Sequence, residues 1–354
     1  MGSTSMLRPD LLARISPQAR TTEPQVAWEL LIAGYLYLGG LGAGAFVVSV
    51  VTGWFGLGLA PALVSPIGGW TWDWSGLLVL WGPFLTAFGA LLLIFHLGRN
   101  WLRAYTACFN PRTSWMARGF IILAAFIVLG AMVAAISVFA PSWPGRIAPL
   151  WRCLEALAVL FALGTAIYTG ILLQSMSFIP AWNSPFLPYL FLASALSTGV
   201  MGVAIGALVY RFIVAEPASA QGLARTLEYA EPALIAIEAS LLTLYVRHLR
   251  RGKPEGLLSS QMLLSGRWRF GFWGGIVGLA LAAPFVLDAV NLGLRSDVLT
   301  LLAAVSVLTG GFLLRCGILA IGIKESPPLY KLARWRALHP AAEPARRPLP
   351  GAGR

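Results

Sequence analysis

The sequence predicts an all-α integral membrane protein with eight transmembrane helices, arranged as two four-helix bundles. Three observations predict it. Only 11% of the 354 residues are charged and 58% are hydrophobic, whereas a soluble domain carries about 25% charged residues. Eight apolar runs each reach about 20 residues, the length of a helix that crosses a bilayer core. The runs are continuous, and the chain holds 38 Gly and 14 Trp. Helical spans favour Gly inside and Trp at the interfaces, while a β-barrel would show alternating segments of about ten residues.

The runs fall roughly at 27–52, 75–97, 115–140, 150–173, 189–215, 223–248, 269–290 and 298–323. The first carries a Gly-rich centre, Gly39, Gly40, Gly42 and Gly44, that lets a neighbour come close. The second ends in His96, Leu97, Gly98 and Arg99, before a basic aromatic loop. The fourth carries Tyr168, Thr169 and Gln174 at its end, and Pro180, Pro185 and Pro188 follow, which cannot continue a helix. Trp182 and Tyr189 flank that turn as rings expected at the membrane interface. The sixth carries Glu228, Glu231 and Glu238, the seventh Asp288 and the eighth Arg315.

The domain organisation follows from the runs. Residues 1–26 form a polar N-terminal segment with Arg8, Asp10, Arg14 and Arg20 and no apolar stretch of a signal peptide. Residues 27–188 form the first bundle and 189–323 the second. Residues 324–354 form a basic tail, Pro/Arg-rich from 340 on and expected to be disordered. The fourth run ends TGILLQ and the eighth holds GGFLLR; the second ends HLGR and the sixth HLRR. Two bundles related as a parallel repeat would explain these likenesses; the competing reading is coincidence among Gly/Leu-rich helices.

Eight spans put both termini on one side, called side A. Arg99, Arg103, Arg112, Arg247, Arg250, Arg251, Lys253, Arg267 and Arg269 fall there with the arginines of the termini. Side B holds Arg146, Arg152, Arg225 and Arg295. The positive-inside rule makes side A cytoplasmic. The net charge of +12 is therefore a topology signal, and no nucleic-acid partner is expected. Cys108, Cys153 and Cys316 have no paired spacing. They cannot ligate an iron–sulfur cluster, which takes about four thiolates. The chain is expected to hold no metal, and any cluster to sit on a partner.

Four stretches carry a family resemblance in order: WELLIAGYLYLGGLGAG (28–44), HLGRNWLRAYTACFNPRTSWMARG (96–119), YTGILL through IPAWN and LPYLF (168–191), and LLRCGILAIG (313–322). Together they resemble the NrfD family, the membrane subunits of polysulfide-reductase-like iron–sulfur molybdoenzymes. The likeness covers about residues 28–323. It implies a multi-pass subunit of the bacterial cytoplasmic (inner) membrane that exchanges electrons with menaquinone or ubiquinone. It also implies a ferredoxin-like iron–sulfur partner subunit and a catalytic partner holding molybdopterin.

In the family's polysulfide reductase a His on the first helix and a Tyr on a later one line the quinone site. By motif Tyr168 matches the Tyr, and Tyr35 falls where the His would be. A phenol donates a hydrogen bond but carries protons poorly near neutral pH, so Glu29 is the candidate for the proton. Tyr35 is about eight residues into the first helix from side A, roughly 12 Å, and Tyr168 about six from the side A end of the fourth, roughly 9 Å. The expected quinone site is Tyr35, Tyr168, Glu29 and Gln174; the competing reading of both tyrosines is interfacial anchoring. Arg99, Arg103, Arg112 and Trp115 are expected to dock the iron–sulfur partner, or else to snorkel as a basic loop.

Ionisable groups inside a span are costly, so each needs a partner or a function. Glu238 and Arg315 lie at similar depth and are expected to face each other as an ion pair inside the second bundle. Glu155, Glu228, Glu231 and Asp288 lie toward side B, where they could lead protons inward. Two rival functions stay open. A haem-b cytochrome would use His96 and His248 as axial ligands. A secondary transporter would use helices broken at the midplane, but Pro83, Pro232 and Pro284 lie toward the side B ends of their spans.

Overall fold

The computed structural model describes residues 30–64, 72–96, 112, 114–139, 143–214 and 217–324. It is all-helical apart from a two-residue antiparallel ladder, β1 (Leu63–Val64) with β2 (Trp72–Asp73). Among the described residues, eight helices are long and apolar enough to cross a membrane. They are α1 (Leu30–Trp54), α2 (Leu77–His96), α3 (Trp115–Phe139), α4 (Ala148–Gln174), α5 (Leu187–Val214), α6 (Pro217–Arg251), α7 (Gly271–Leu294) and α8 (Asp297–Ala320). Helices suit this setting because they bond every backbone amide internally where no water is available.

The central element is α1. It packs against α2 and α4 of the first four helices and against α5 and α8 of the last four. The two sets of helices therefore meet along a broad seam formed by α1, α5 and α8. Gly44 and Gly199 make the seam possible. A Cβ on Gly199 would enter the Gly44 backbone, and one on Gly44 would enter the Ala195 carbonyl. With no side chains between them, α1 and α5 cross in backbone contact.

The sixth helix has 35 residues, about 52 Å at 1.5 Å per residue, so it exceeds the bilayer core. Its buried positions Glu228, Glu231, Ile235, Glu238, Leu242, Tyr245 and Leu249 recur at three- and four-residue spacing, the inward stripe of a helix. Three of those positions are acids. The seventh helix starts as a π-helix over Gly271–Ala282 and continues as an α-helix from Ala283.

The turn between α4 and α5 is fixed on side A. Trp182 is fully buried, and its indole Nε1 donates to the Ile318 carbonyl at 2.8 Å. The Tyr245 hydroxyl donates to the Ala181 carbonyl at 2.8 Å. Trp182 is thus a clamp between α8 and the turn, not the interfacial ring expected from its place in the chain. Tyr189 is exposed, as an interfacial ring should be.

Candidate functional site

Tyr35 on α1 and Tyr168 on α4 come together on the side A half. They are only 3% and 4% exposed, and the two phenols lie within electrostatic reach of each other. Neither hydroxyl makes a hydrogen bond among the described residues. Gly119 on α3 creates the space: a Cβ there would coincide with the Tyr168 ring. The site is two adjacent phenolic donors in an apolar wall that includes Ile32, Leu36 and Leu123.

Gln174 is half-buried at the end of α4, and its backbone carbonyl accepts from the Asn183 amide at 3.0 Å. Glu29, Arg99 and Arg103 lie outside the described residues. Arg112 is exposed, and its carbonyl accepts from Arg118, whose guanidinium stacks 4.5 Å over the Trp115 ring. Trp115 is exposed on the outside of α3. His248 packs edge-on against Phe186, with ring centroids 5.9 Å apart; the side chain of His96 lies outside the described residues.

The charged residues of the spans form a second assembly. Arg315 is 1% exposed. It donates to the Ser194 hydroxyl on α5, to the Gly311 carbonyl at 3.3 Å and to the Phe191 carbonyl at 3.3 Å. Its guanidinium lies 4.9 Å over the Phe191 ring, and a Cβ on Gly40 would come within 3.3 Å of it. Ser194 is also a hydrogen-bond partner of Glu238. Glu238 and Arg315 thus face one another, but they form no direct ion pair. Ser194 stands between them, because α5 passes between α6 and α8 at that depth. The arrangement also lies at the seam with α1, not inside the second set of helices alone.

Toward side B, Glu231 accepts from the Ser197 hydroxyl at 2.6 Å, and its other oxygen has no partner. Glu228 accepts from the Asn291 amide at 2.9 Å and the Thr300 hydroxyl at 2.5 Å. Asp288 is 1% exposed, and neither of its oxygens has a hydrogen-bond partner among the described residues. Glu155 stands apart from this group. On α4 it accepts from the Trp54 indole at 2.7 Å and pairs with Arg152 at 3.4 Å. It faces a separate polar crevice of about 220 Å³ with Ser49, Thr52, Asp73 and Ser137.

Several residues of these sites carried no advance signal. Ser194, Ser197, Asn291 and Thr300 are ordinary polar residues in apolar runs, and Gly119 is one glycine among many. The three-residue spacing of Ser194 and Ser197 puts them on one face of α5, which is the only hint the sequence offers. A further cleft of about 440 Å³ lies among α1, α2 and α5, lined by apolar side chains with Trp74, Trp81 and Tyr210. It lies toward side B and does not include Tyr35 or Tyr168.

Known proteins share this pattern along most of its length. The family model described as polysulphide reductase, NrfD, matches residues 19–325. A polysulfide reductase subunit of Wolinella succinogenes is 31% identical over 315 residues, covering 84% of the present sequence and 94% of the relative's. Protein NrfD of Escherichia coli is 29% identical over 281 residues, covering 74% and 84%. A protein NrfD homolog of Haemophilus influenzae is 26% identical over 320 residues, covering 84% and 95%.

Proposed function

The chain belongs to the NrfD, polysulphide reductase family, and on that premise we propose that it is the quinone-reactive membrane anchor of an iron–sulfur/molybdopterin oxidoreductase. Menaquinone or ubiquinone is the exchangeable substrate. It passes electrons to or from a ferredoxin-like partner subunit docked on side A, which serves a catalytic subunit holding molybdopterin.

The observation that carries the reading is the pair of buried phenols. Tyr35 and Tyr168 sit side by side, and their hydroxyls are unpartnered among the described residues. A phenol hydroxyl that spends its proton on no acceptor among the described residues is available to donate to a ligand. A quinone carbonyl, which only accepts hydrogen bonds, suits such donors, and the apolar wall suits its ring. Tyr168 and Tyr35 orient the ring by donating to its oxygens. Proton delivery falls to another group, since a phenol is a poor carrier near neutral pH; Glu29, six residues before Tyr35, is the nearest acid in the chain.

The docking surface is assigned to the side A loop with Arg99, Arg103, Arg112 and Trp115. The charge bias assigns side A to the cytoplasm of a bacterial inner membrane. The test is Tyr168→Phe in the complex purified with its partners under mild detergent. The ring stays and one donor goes, so quinone turnover should fall while assembly is kept. Loss of one hydrogen bond to a bound ligand of about 0.5–1.5 kcal/mol corresponds to roughly 2- to 10-fold weaker quinone binding. Unchanged turnover and affinity would remove Tyr168 from the site.

A further inference from the structure

Four carboxyls are buried where α6, α7 and α5 meet. Glu228, Glu231 and Glu238 share the inward stripe of α6, and ten residues separate the first from the last, about 15 Å along the helix. Asp288 on α7 lies within electrostatic reach of Glu228 and of Glu231, and Glu231 within reach of Glu238. The four therefore form a series from the side B half toward Ser194 and Arg315 at the seam.

Two features separate this series from a structural ion-pair network. It holds four carboxyls with one arginine, Arg315, at its inner end; Arg211, Arg225 and Arg295 line the crevice at its outer end but pair with none of the four among the described residues, whereas buried charges that serve structure alone are paired. It also leaves oxygens open. Both oxygens of Asp288 and one of Glu231 are buried without a hydrogen-bond partner among the described residues. Unmet acceptors of this kind are rare in folded proteins and call for an explanation.

The side B end is not sealed. A crevice of about 70 Å³ lies there among α5, α6, α8 and the end of α7, and the buried Glu228, Asn291 and Thr300 line it. Arg211 and Asp297 pair at its mouth, with Arg225 and Arg295 beside them. Thr300 and Asn291 both hydrogen-bond Glu228, so the first carboxyl of the series is held at the water-facing end.

We propose that Glu228, Asp288, Glu231 and Glu238 form a proton relay that loads from side B and ends at the Ser194–Arg315 cluster on the seam. Each proton lost by one carboxyl is gained by the next; across the roughly 10 Å between Glu231 and Glu238 the Ser197 and Ser194 hydroxyls that bond them, with water, carry it, and no oxidant or reductant takes part. Asp288 is the central member, because it neighbours both Glu228 and Glu231. The inference rests on the quinone reading for what drives the relay, though not for its route. Glu155 is not a member, being held by Trp54 and Arg152 on α4.

The test uses the complex in vesicles with side B facing the lumen and a pH-sensitive dye trapped inside. Quinone turnover should draw protons from the lumen. Asp288→Asn should lower the ratio of luminal protons to electrons at least about tenfold, well within the roughly 10²- to 10⁴-fold that a positioned proton carrier contributes to a rate. Glu231→Gln should do the same and stands in if Asp288→Asn fails to assemble. Wild-type ratios in the variants would overturn the relay. Independently of quinone, the full chain in detergent is treated with dicyclohexylcarbodiimide, an apolar reagent for buried carboxyls that carry a proton. Labelling at Asp288 or Glu231, located by mass spectrometry, is the expected result. No label on any of the four carboxyls would overturn the relay even if turnover is normal. Labelling in a complex that does not turn over quinone would instead count against the quinone reading alone.

Discussion

The Glu238–Ser194–Arg315 arrangement makes the most demanding prediction about stability. Glu238→Gln keeps the shape and a hydrogen-bonding group toward Ser194 but deletes the negative charge. Arg315 is then a buried cation faced by carbonyls and a hydroxyl only. Two unit charges 4 Å apart attract by about 4 kcal/mol at an effective dielectric of 20. Glu238 and Arg315 are farther apart than that, since they form no direct pair, so the attraction lost is smaller, on the order of 2–3 kcal/mol. Truncating one partner of a buried pair costs about 3–5 kcal/mol when contact is direct; the serine in between lowers the expected cost of Glu238→Gln to about 2–3 kcal/mol.

The double variant decides the matter. Arg315→Met removes the cation and leaves an apolar chain of similar length. It strands Glu238 in turn, so alone it should also cost a few kcal/mol. Combined with Glu238→Gln, neither charge remains, and the sum of the single costs should exceed the double cost by about 2 kcal/mol or more. Ser194→Ala removes the shared hydroxyl and should cost about 1–3 kcal/mol, because it leaves an Arg315 donor unmet. The measurement is the fraction folded against sodium dodecyl sulfate in mixed micelles, followed by Trp fluorescence. Additive single costs, with coupling under about 0.5 kcal/mol, would refute the reasoning.

Two further predictions bear on the site and its sidedness. Gly119→Ala places a methyl where the Tyr168 ring stands; it should cost about 1–3 kcal/mol of stability and lower quinone turnover by up to about 100-fold, since a shift of about 1 Å can cost that much. Sidedness is read by labelling with a membrane-impermeant thiol reagent in a chain carrying Cys108→Ser, Cys153→Ser and Arg251→Cys. Arg251 is exposed at the side A end of α6. No labelling in intact cells and labelling after lysis would place side A in the cytoplasm; labelling in intact cells would place it outside.

Much of the fold was legible because bilayer thickness translates directly into run length. All eight apolar runs appear as helices, and the family resemblance was legible in its four motifs. The ends were less so: α6 begins at Pro217 rather than near 223, because its first turns are polar and lie outside any apolar window. Depth along each helix was also legible, and it brought Glu238 level with Arg315 and Tyr35 level with Tyr168. Azimuth was not. Nothing in one sequence says which helix faces which, so Glu155 could be grouped with Asp288 by depth, although α4 turns it toward Trp54 on α1 instead. Ser194 was illegible for the same reason. A serine in an apolar helix usually bonds its own backbone, and only the crossing of α5 between α6 and α8 gives this one two charged neighbours.

The first helix belongs to both sites. Tyr35 and Tyr37 are two residues apart, so they leave α1 about 200° apart around its axis and about 3 Å apart along it. Tyr35 turns to Tyr168. Tyr37 packs edge-on against Phe312 of α8, with centroids 5.5 Å apart, and lies within electrostatic reach of Arg315. Gly40, one turn further along, leaves room for the same guanidinium. The phenol pair and the charged cluster are therefore separated by one helix thickness. That helix is pinned by its backbone contact with α5 at Gly44 and Gly199, so it is a poor lever. A low-dielectric interior transmits a change of charge across such a distance with little screening. Communication between the two sites is for that reason expected to be electrostatic across α1, with Tyr37 and Arg315 on the receiving face, and not a movement of the helix.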